Sequence, residues 1–412
     1  METQNLVMAA EGARLVTARE IGLVPRDGPA PPPRKARWWI FAFVEWLARL
    51  GGRGREAPHG LLVIRMDGIG DMVLFRQALD RYAEVFGIDK GDITILGCKA
   101  WGDLAEGLFE GFRVHAIHEH RFHKKPLYRF GVARWIYRQN FRTVVLDSFF
   151  RKPLMADSLM LAARAPETVA CVPWLSRKTN DLFAYSLSRA TTLVDTGAYP
   201  VHETVRHFRF LTAVAGREIA PERIALDWPQ GRLPDGLRDA PYVVLNFGSN
   251  EYGRRWPLPK YLETARWLMD QGYRVVFCGA PNDLAHSHEI RAALPGEGVV
   301  DLIGCTTVPE LMAVLKSAAA VLTNDTGPAH LAIALGAPTL VLVGGGHFGS
   351  FVPYAEEVRP ANARFLNVAM DCYHCFWGCH LRQSDRESFP CVAAIEESAV
   401  RQTLGELLRQ LG

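Results

Sequence analysis

Leu322-Thr323-Asn324-Asp325-Thr326-Gly327-Pro328-Ala329-His330-Leu331 decides the fold of this 412-residue chain. Residues 319–322 read as an apolar strand that runs into a tight Asp-Thr-Gly turn and then opens a helix. Pro328 suits the first helical turn, where its missing N–H costs nothing. A helix starting there directs free backbone N–H groups and the positive end of its dipole at whatever lies above the strand, which favours phosphate. Taken alone, the same residues also describe an ordinary helix start, so the surroundings carry the argument.

Around this turn, the second half of the chain alternates strands (242–247, 273–278, 299–302, 319–323, 339–343) with helices (259–271, 282–293, 308–317, 328–335). The first half shows the same rhythm, with strands at 61–64, 93–96 and 143–146, a turn at 68–71 and a helix over 72–86. Continuous apolar strands alternating with helices imply parallel sheets covered on both faces. The expected architecture is α/β, two Rossmann-like domains facing each other across a cleft, with ligands at the carboxyl ends of the strands. The expected divisions are an N-terminal extension at 1–57, an acceptor-side domain at 58–225 and a donor-nucleotide domain at 226–412 that carries a cysteine cluster within 372–391.

The chain's net charge is only +3, too small to imply a nucleic-acid partner. The charge is uneven. Arg34, Lys35, Arg37, Arg49, Arg53 and Arg55 face a single acid, Glu45, so this stretch carries +5 and everything else −2. Between those arginines, Trp38, Trp39, Phe41, Phe43, Trp46 and Leu47 form an apolar helix too short to span a bilayer. Two readings stay open: an interfacial helix on an anionic membrane, or a helix docked on the protein's own body. The first thirty residues lack a secretory pattern, so the expected location is the cytoplasm, with peripheral contact at the inner membrane. Eight cysteines are then expected as thiols.

In the second half most strand ends carry something usable: Gly248-Ser249-Asn250 with Arg254 and Arg255, Gly279-Ala280-Pro281-Asn282-Asp283, Asp325 to His330, and Gly344-Gly345-Gly346. Glycines let a ligand approach the backbone, arginines match phosphate, and an acid at a strand end can grip a ribose diol. Loops of this kind meeting at one edge make a nucleotide-diphosphate site. In the first half the corresponding loop is Arg65-Met66-Asp67-Gly68-Ile69-Gly70-Asp71. Asp71 could cap the following helix or remove a proton from an acceptor hydroxyl; Asp67 on the same loop is its rival. No Asp-x-Asp pair occurs to clamp a catalytic divalent cation.

The run LVIRMDGIGDMVLFRQAL (62–79), then His202-Glu203-x-x-Arg206, Arg255-Trp256-Pro257 and Asp325-Thr326-Gly327-Pro328-Ala329-His330-Leu331, resembles family 9 glycosyltransferases, the bacterial ADP-heptose heptosyltransferases, over residues 61–354. The resemblance implies a GT-B fold and an inverting transfer of heptose from an ADP-sugar to a hydroxyl of a cell-envelope glycan such as lipopolysaccharide core, with no catalytic cofactor. It places the catalytic aspartate on Asp71, a basic acceptor- or phosphate-side residue on Arg65 beside Gly70, and the phosphate-binding turn on Asp325, Thr326, Gly327 and His330. It places the ribose-contacting acid on Asp283 and the diphosphate base on Arg255, with Arg254 beside it.

Cys372-x2-Cys375-x3-Cys379-x11-Cys391 departs from the simple pattern. Four thiols so spaced resemble a structural zinc or iron site, and the autotransporter heptosyltransferases resemble this chain in having such a finger. Transfer to a protein acceptor therefore stays open, as does a nucleotide-sugar-binding protein without catalysis. The remaining cysteines (Cys98, Cys171, Cys278, Cys305) read as small buried apolar residues. The basic segment from His115 to Lys125, with Arg151 and Lys152, reads either as an anion-binding acceptor patch or as a solvated loop. A nucleotide-dependent oxidoreductase is disfavoured because Gly68-Ile69-Gly70-Asp71 lacks a third glycine.

Overall fold

A computed structural model describes residues 12–24, 30–54, 57–234 and 236–409; Arg55, counted above in the basic run, lies outside them. The chain divides into two compact units, Met1–Pro221 and Glu222–Gly412.

The first unit is built on a seven-stranded sheet in the order β1-β7-β6-β5-β2-β3-β4. The strands are β1 (Arg14–Val16), β2 (His59–Arg65), β3 (Ile93–Cys98), β4 (Arg113–Ile117), β5 (Phe141–Leu146), β6 (Glu167–Cys171) and β7 (Thr192–Asp195). All neighbours are parallel except β1, which lies antiparallel on β7. The inner strands β2, β3 and β5 are almost wholly buried, as a sheet covered on both faces requires. Strand order reverses between β2 and β5, and there the loop after β2 leads into α2 (Ile69–Asp80). The helix expected over 72–86 is interrupted at Arg81, with a separate turn Tyr82–Phe86 beyond it.

Residues read from the sequence as an extension are part of this unit. β1 closes one sheet edge, and α1 (Ala36–Ala48) docks through Phe41, Glu45 and Ala48. Glu45 accepts from Arg129 Nε at 2.8 Å, both side chains buried.

In the second unit a six-stranded parallel sheet runs β10-β9-β8-β11-β12-β13. Its strands are β8 (Tyr242–Asn246), β9 (Arg274–Cys278), β10 (Val299–Asp301), β11 (Ala320–Asn324), β12 (Thr339–Leu342) and β13 (Ala363–Leu366). The order reverses between β8 and β11, so the loops after these two strands flank the switch point. One core joins Val243, Leu245, Leu322 and Leu340 of the sheet to Val400 and Leu404 of the helix Glu397–Arg409.

Candidate functional site

The helix Gly327–Ala334 begins at Thr326 with Pro328 in its first turn and no side-chain cap. Ala329 N already donates to Thr326 O at 3.0 Å and Pro328 has no N–H, so the amides left without a side-chain cap are those of Thr326 and Gly327. Asp325 is buried, and burial raises its pKa against the opposing pull of Arg254. His330 is also buried, 2.7 Å from the Tyr354 hydroxyl through Nδ1. Burial, reinforced by Arg254, pushes the His330 pKa down to about 4, while burial drives Tyr354 well up. At neutral pH the ring is thus uncharged and the phenol keeps its proton.

Asn324, inside the quoted motif, was not singled out by the sequence reading. It is fully buried; its Oδ1 accepts from Trp256 N at 3.0 Å and Tyr261 OH at 3.2 Å, and its Nδ2 donates to Phe247 O at 2.7 Å. One amide therefore ties the ends of β8 and β11 to the Arg-Trp-Pro loop. An amide sitting at the end of an otherwise apolar strand was the available signal.

The two arginines before Trp256 separate in role. Arg255 pairs with Asp283 at 2.8 Å and donates to Ser249 O, also at 2.8 Å. Asp283 is buried and accepts from Ala280 N at 2.9 Å. A Cβ at Gly248 would meet Asp283 Oδ2 at 2.2 Å, so glycine there makes room for a protein carboxylate. Asp283 thus braces Arg255 and its own turn. Arg254 instead has a buried Nε without a hydrogen-bond partner among the described residues. It also acts electrostatically on Asp325, His330 and His347.

The Gly344-Gly345-Gly346 run, read as space for a ligand, is filled by the cysteine loop. A Cβ at Gly345 would lie 2.3 Å from the Tyr373 ring, and one at Gly346 would lie 2.2 Å from Trp377. His374 N donates to Gly345 O at 2.7 Å and Phe376 N to Gly346 O at 3.0 Å. These bonds hold His374, Phe376 and Trp377 at positive φ, a costly backbone for residues with side chains. Cys372, Cys375, Cys379 and Cys391 all line one cavity of about 10 Å³, with Trp377 and Phe389 among its walls. Burial and the neighbouring thiols raise Cys375 and Cys391. Among the described residues, however, no three His, Cys, Asp or Glu side chains are grouped as metal ligands. Cys98, Cys171 and Cys278 are buried as expected, whereas Cys305 is exposed.

In the first unit Asp71 accepts from Gly68 N at 3.0 Å, capping α2, and remains partly exposed. Arg65 is buried, pairing with Asp147 at 2.7 Å and Asp67 at 2.9 Å. Asp147 also accepts from Tyr82 OH and lies 3.0 Å from His207 Nδ1. Burial would raise Asp147, but Arg65 and His207 outweigh it and hold the carboxyl well below its ordinary range. Asp67, which also accepts from Ser148, is pushed up to about 6 by burial and by Asp71, against Arg65. Glu203, three residues before Arg206, is raised to about 7 by burial. Arg206 is committed to Thr196 and Gly197 O, and Arg151 to Asp157, so both of these arginines brace the unit.

Residues 192–376 match the model of glycosyltransferase family 9 (heptosyltransferase). Lipopolysaccharide heptosyltransferase 2 of Escherichia coli K12 is 32% identical over 147 residues, which is 32% of this chain and 42% of that protein. The chain thus spans less than half the length of the curated relatives it matches. The solved E. coli ADP-heptose lipopolysaccharide heptosyltransferase II superposes over 85% of this chain and 99% of its own, with TM-score 0.57 and 21% identity. The iron-containing dodecameric glycosyltransferase TibC of enterotoxigenic E. coli covers 87% of this chain and 78% of its own, with TM-score 0.54 and 16% identity. At such identities the superpositions establish the fold, which is that of the GT-B heptosyltransferases. The family match over residues 192–376 and the curated relatives thus agree on one likeness, to the heptosyltransferases of glycosyltransferase family 9.

Proposed function

We propose that this protein is an inverting glycosyltransferase that moves a heptose from an ADP-sugar to a hydroxyl of a cell-envelope glycan such as lipopolysaccharide core. The observation that carries the reading is Arg254, whose buried Nε lacks a hydrogen-bond partner among the described residues and whose charge acts on the Asp325–His330 turn. A diphosphate supplies acceptors for that nitrogen and for the uncapped amides of Thr326 and Gly327. Neutral His330, accepting the Tyr354 O–H hydrogen bond at Nδ1, keeps its hydrogen on Nε2 as a further donor. Asp71 removes the proton of the acceptor hydroxyl as its oxygen attacks the anomeric carbon. The bond to the ADP oxygen breaks on the opposite side, and Arg254 with the helix amides stabilises the departing charge. Arg65, fastened by Asp67 and Asp147, holds the base loop.

Calorimetry with ADP, UDP and GDP on the wild type and Asp71→Ala tests this, followed by turnover of ADP-heptose. ADP binding retained in Asp71→Ala with turnover lost supports the reading. Preference for UDP or GDP would remove the ADP-sugar, and absence of any binding would favour a protein without catalysis.

A second reading, transfer to a protein acceptor, rests on the thiol cavity together with the fold shared with the iron-containing TibC. The cavity is atom-sized and its donors are sulfur, which suits zinc or iron chemically. Cys372, Cys375, Cys379 and Cys391 would hold the ion and brace the loop around it. Metal analysis of purified protein decides this: one equivalent of metal lost on Cys375→Ser supports it, and metal-free native protein removes it.

A further inference from the structure

α1 is apolar on both of its faces. Phe41, Glu45 and Ala48 are buried against the first unit. On the other side, Trp39, Phe43, Trp46 and Leu50 recur at i, i+4, i+7 and i+11, with Ile40 beside them, and each is 50–59% exposed. A surface helix ordinarily turns a polar face to water; here the water-facing stripe is the more aromatic one. Phe43 and Trp46 stack at 5.9 Å, which makes the stripe a continuous aromatic surface along a helix about 20 Å long. Leu127, 87% exposed, follows Lys124 and Lys125, themselves exposed, on the segment that receives the start of α1 through Arg37 and His123 O (2.7 Å).

The charges around the stripe are mostly positive, with Asp181 at 3.8 Å from Lys35 Nζ the carboxylate among them. Arg34, Lys35 and Arg37 are exposed before the helix or in its first turn, and Arg53 beyond its end. Arg37 and Arg53 donate to carbonyl oxygens (His123, Arg164) rather than to carboxylates. The acid of this segment, Glu45, is turned inward and neutralised by Arg129. The charged groups that act on the His123 ring are Arg37, Arg129, Lys152 and Lys124, all cationic. Behind α1, Arg49, Arg164 and Arg189 line a cavity of about 460 Å³ together with Glu45 and Arg129, whose Nη1 is buried without a hydrogen-bond partner among the described residues.

We infer that the outer face of α1 is a docking surface for an anionic lipid bilayer. Trp39, Phe43, Trp46 and Leu50 enter the headgroup–acyl boundary, and the flanking cations bind lipid phosphates. An aromatic stripe rimmed by lysine and arginine on a short helix is the arrangement that interfacial helices use. Each cation near an anionic surface adds to the attraction, which salt screens. No described helix is long and apolar enough to cross a membrane, so the contact is peripheral. The surface is independent of the proposed chemistry, and lipid binding is read without any sugar.

The test is co-sedimentation of the full chain with phosphatidylethanolamine–phosphatidylglycerol vesicles and with phosphatidylcholine vesicles, at low and high salt. A Trp39→Ser/Phe43→Ser/Trp46→Ser variant and an Arg34→Glu/Lys124→Glu/Lys125→Glu variant run beside the wild type, with melting curves for all three. Wild type is expected on the anionic vesicles, weakened by salt. The triple serine variant should lose about tenfold or more in partitioning at unchanged melting temperature. The charge variant should lose its preference for phosphatidylglycerol. Wild type that stays in solution with every vesicle overturns the inference, as does a serine variant that binds equally well. So does a lipid-independent oligomer that the serine variant converts to monomer, since a second copy would then cover the face.

Discussion

The Arg254 guanidinium lies 4.2 Å from the centre of the Trp377 ring, a cation–π contact between the loop before Trp-Pro and the loop carrying the cysteines. The two loops are also joined by Arg382 to Glu251 at 2.8 Å and by Phe389 N to Gly253 O at 2.7 Å. Trp377 fills the space left by Gly346, and Arg254 is the cation closest in influence to Asp325 and His330. The cysteine loop therefore shapes the surroundings of Arg254, the side chain on which the proposed function rests, even if no thiol touches substrate.

Arg254→Ala is expected to weaken ADP binding by about 10- to 100-fold, the scale of a lost charge-assisted bond pair. Trp377→Ala should weaken it by a smaller factor, about three- to tenfold, with the arginine left in place. Arg255→Ala acts differently, because it strands the buried Asp283 carboxylate and should lower melting temperature more than affinity. Calorimetry and thermal melts on the three variants check the ordering; equal losses of affinity for both arginines would contradict it.

Asn324→Ala leaves Trp256 N, Tyr261 OH and Phe247 O without the partners they have at 3.0, 3.2 and 2.7 Å. A loss of roughly 2–4 kcal/mol is expected from several unsatisfied buried groups. Denaturant unfolding of the purified variant measures it, and a change below about 1 kcal/mol would show that water replaces the amide.

Asp71→Asn should lower kcat by about 10²- to 10⁴-fold with little change in KM for the donor, as loss of a general base requires. Its effect on stability should stay near 1 kcal/mol, the scale of a helix cap. Asp67→Asn should show the reverse balance, since Asp67 is engaged by Arg65 and Ser148. Steady-state kinetics with ADP-heptose and melting curves separate the two; a larger kcat loss in Asp67→Asn would make Asp67 the base.

His330 is a base whose folded pKa is depressed to about 4 by burial and Arg254. The unfolded chain therefore binds a proton before the folded one does. Stability is full above the unfolded value and falls, by up to about 1.4 kcal/mol per pH unit, as pH drops from about 6.5 towards 4. His347, also lowered to about 4, adds in the same window. Denaturant titrations across this range should show the decline, and His330→Gln should flatten part of it. An unchanged slope in that variant would assign the effect elsewhere.

How much was legible depends on distance along the chain. The strand–turn–helix around Asp325, the helix Val308–Lys316 with Pro309 in its first turn, and the alternation of buried strands in both halves rest on neighbours a few residues apart. Strands β6 and β7 did not stand out, because each is only four or five residues long and is completed by its sheet partners. Asp71 was read both as a cap and as a base; the cap is local and visible in the spacing Gly68 to Asp71.

The amino-acid sequence by itself determined the α/β class, the two Rossmann-like sheets and the turn-and-helix start at Asp325 to His330, because periodicity, glycine turns and proline positions act within one or two turns of chain. Tertiary structure alone decided which polar groups were already spent. Asp283 went to Arg255, and Asp147 to Arg65 and Tyr82. The three glycines after β12 went to Tyr373 and Trp377 rather than to a ligand. It also decided which face of α1 is covered and which is bare. The physical reason is common to all of these: a buried charge or an apolar face is satisfied by whichever group the fold brings to it, and those partners lie tens of residues away.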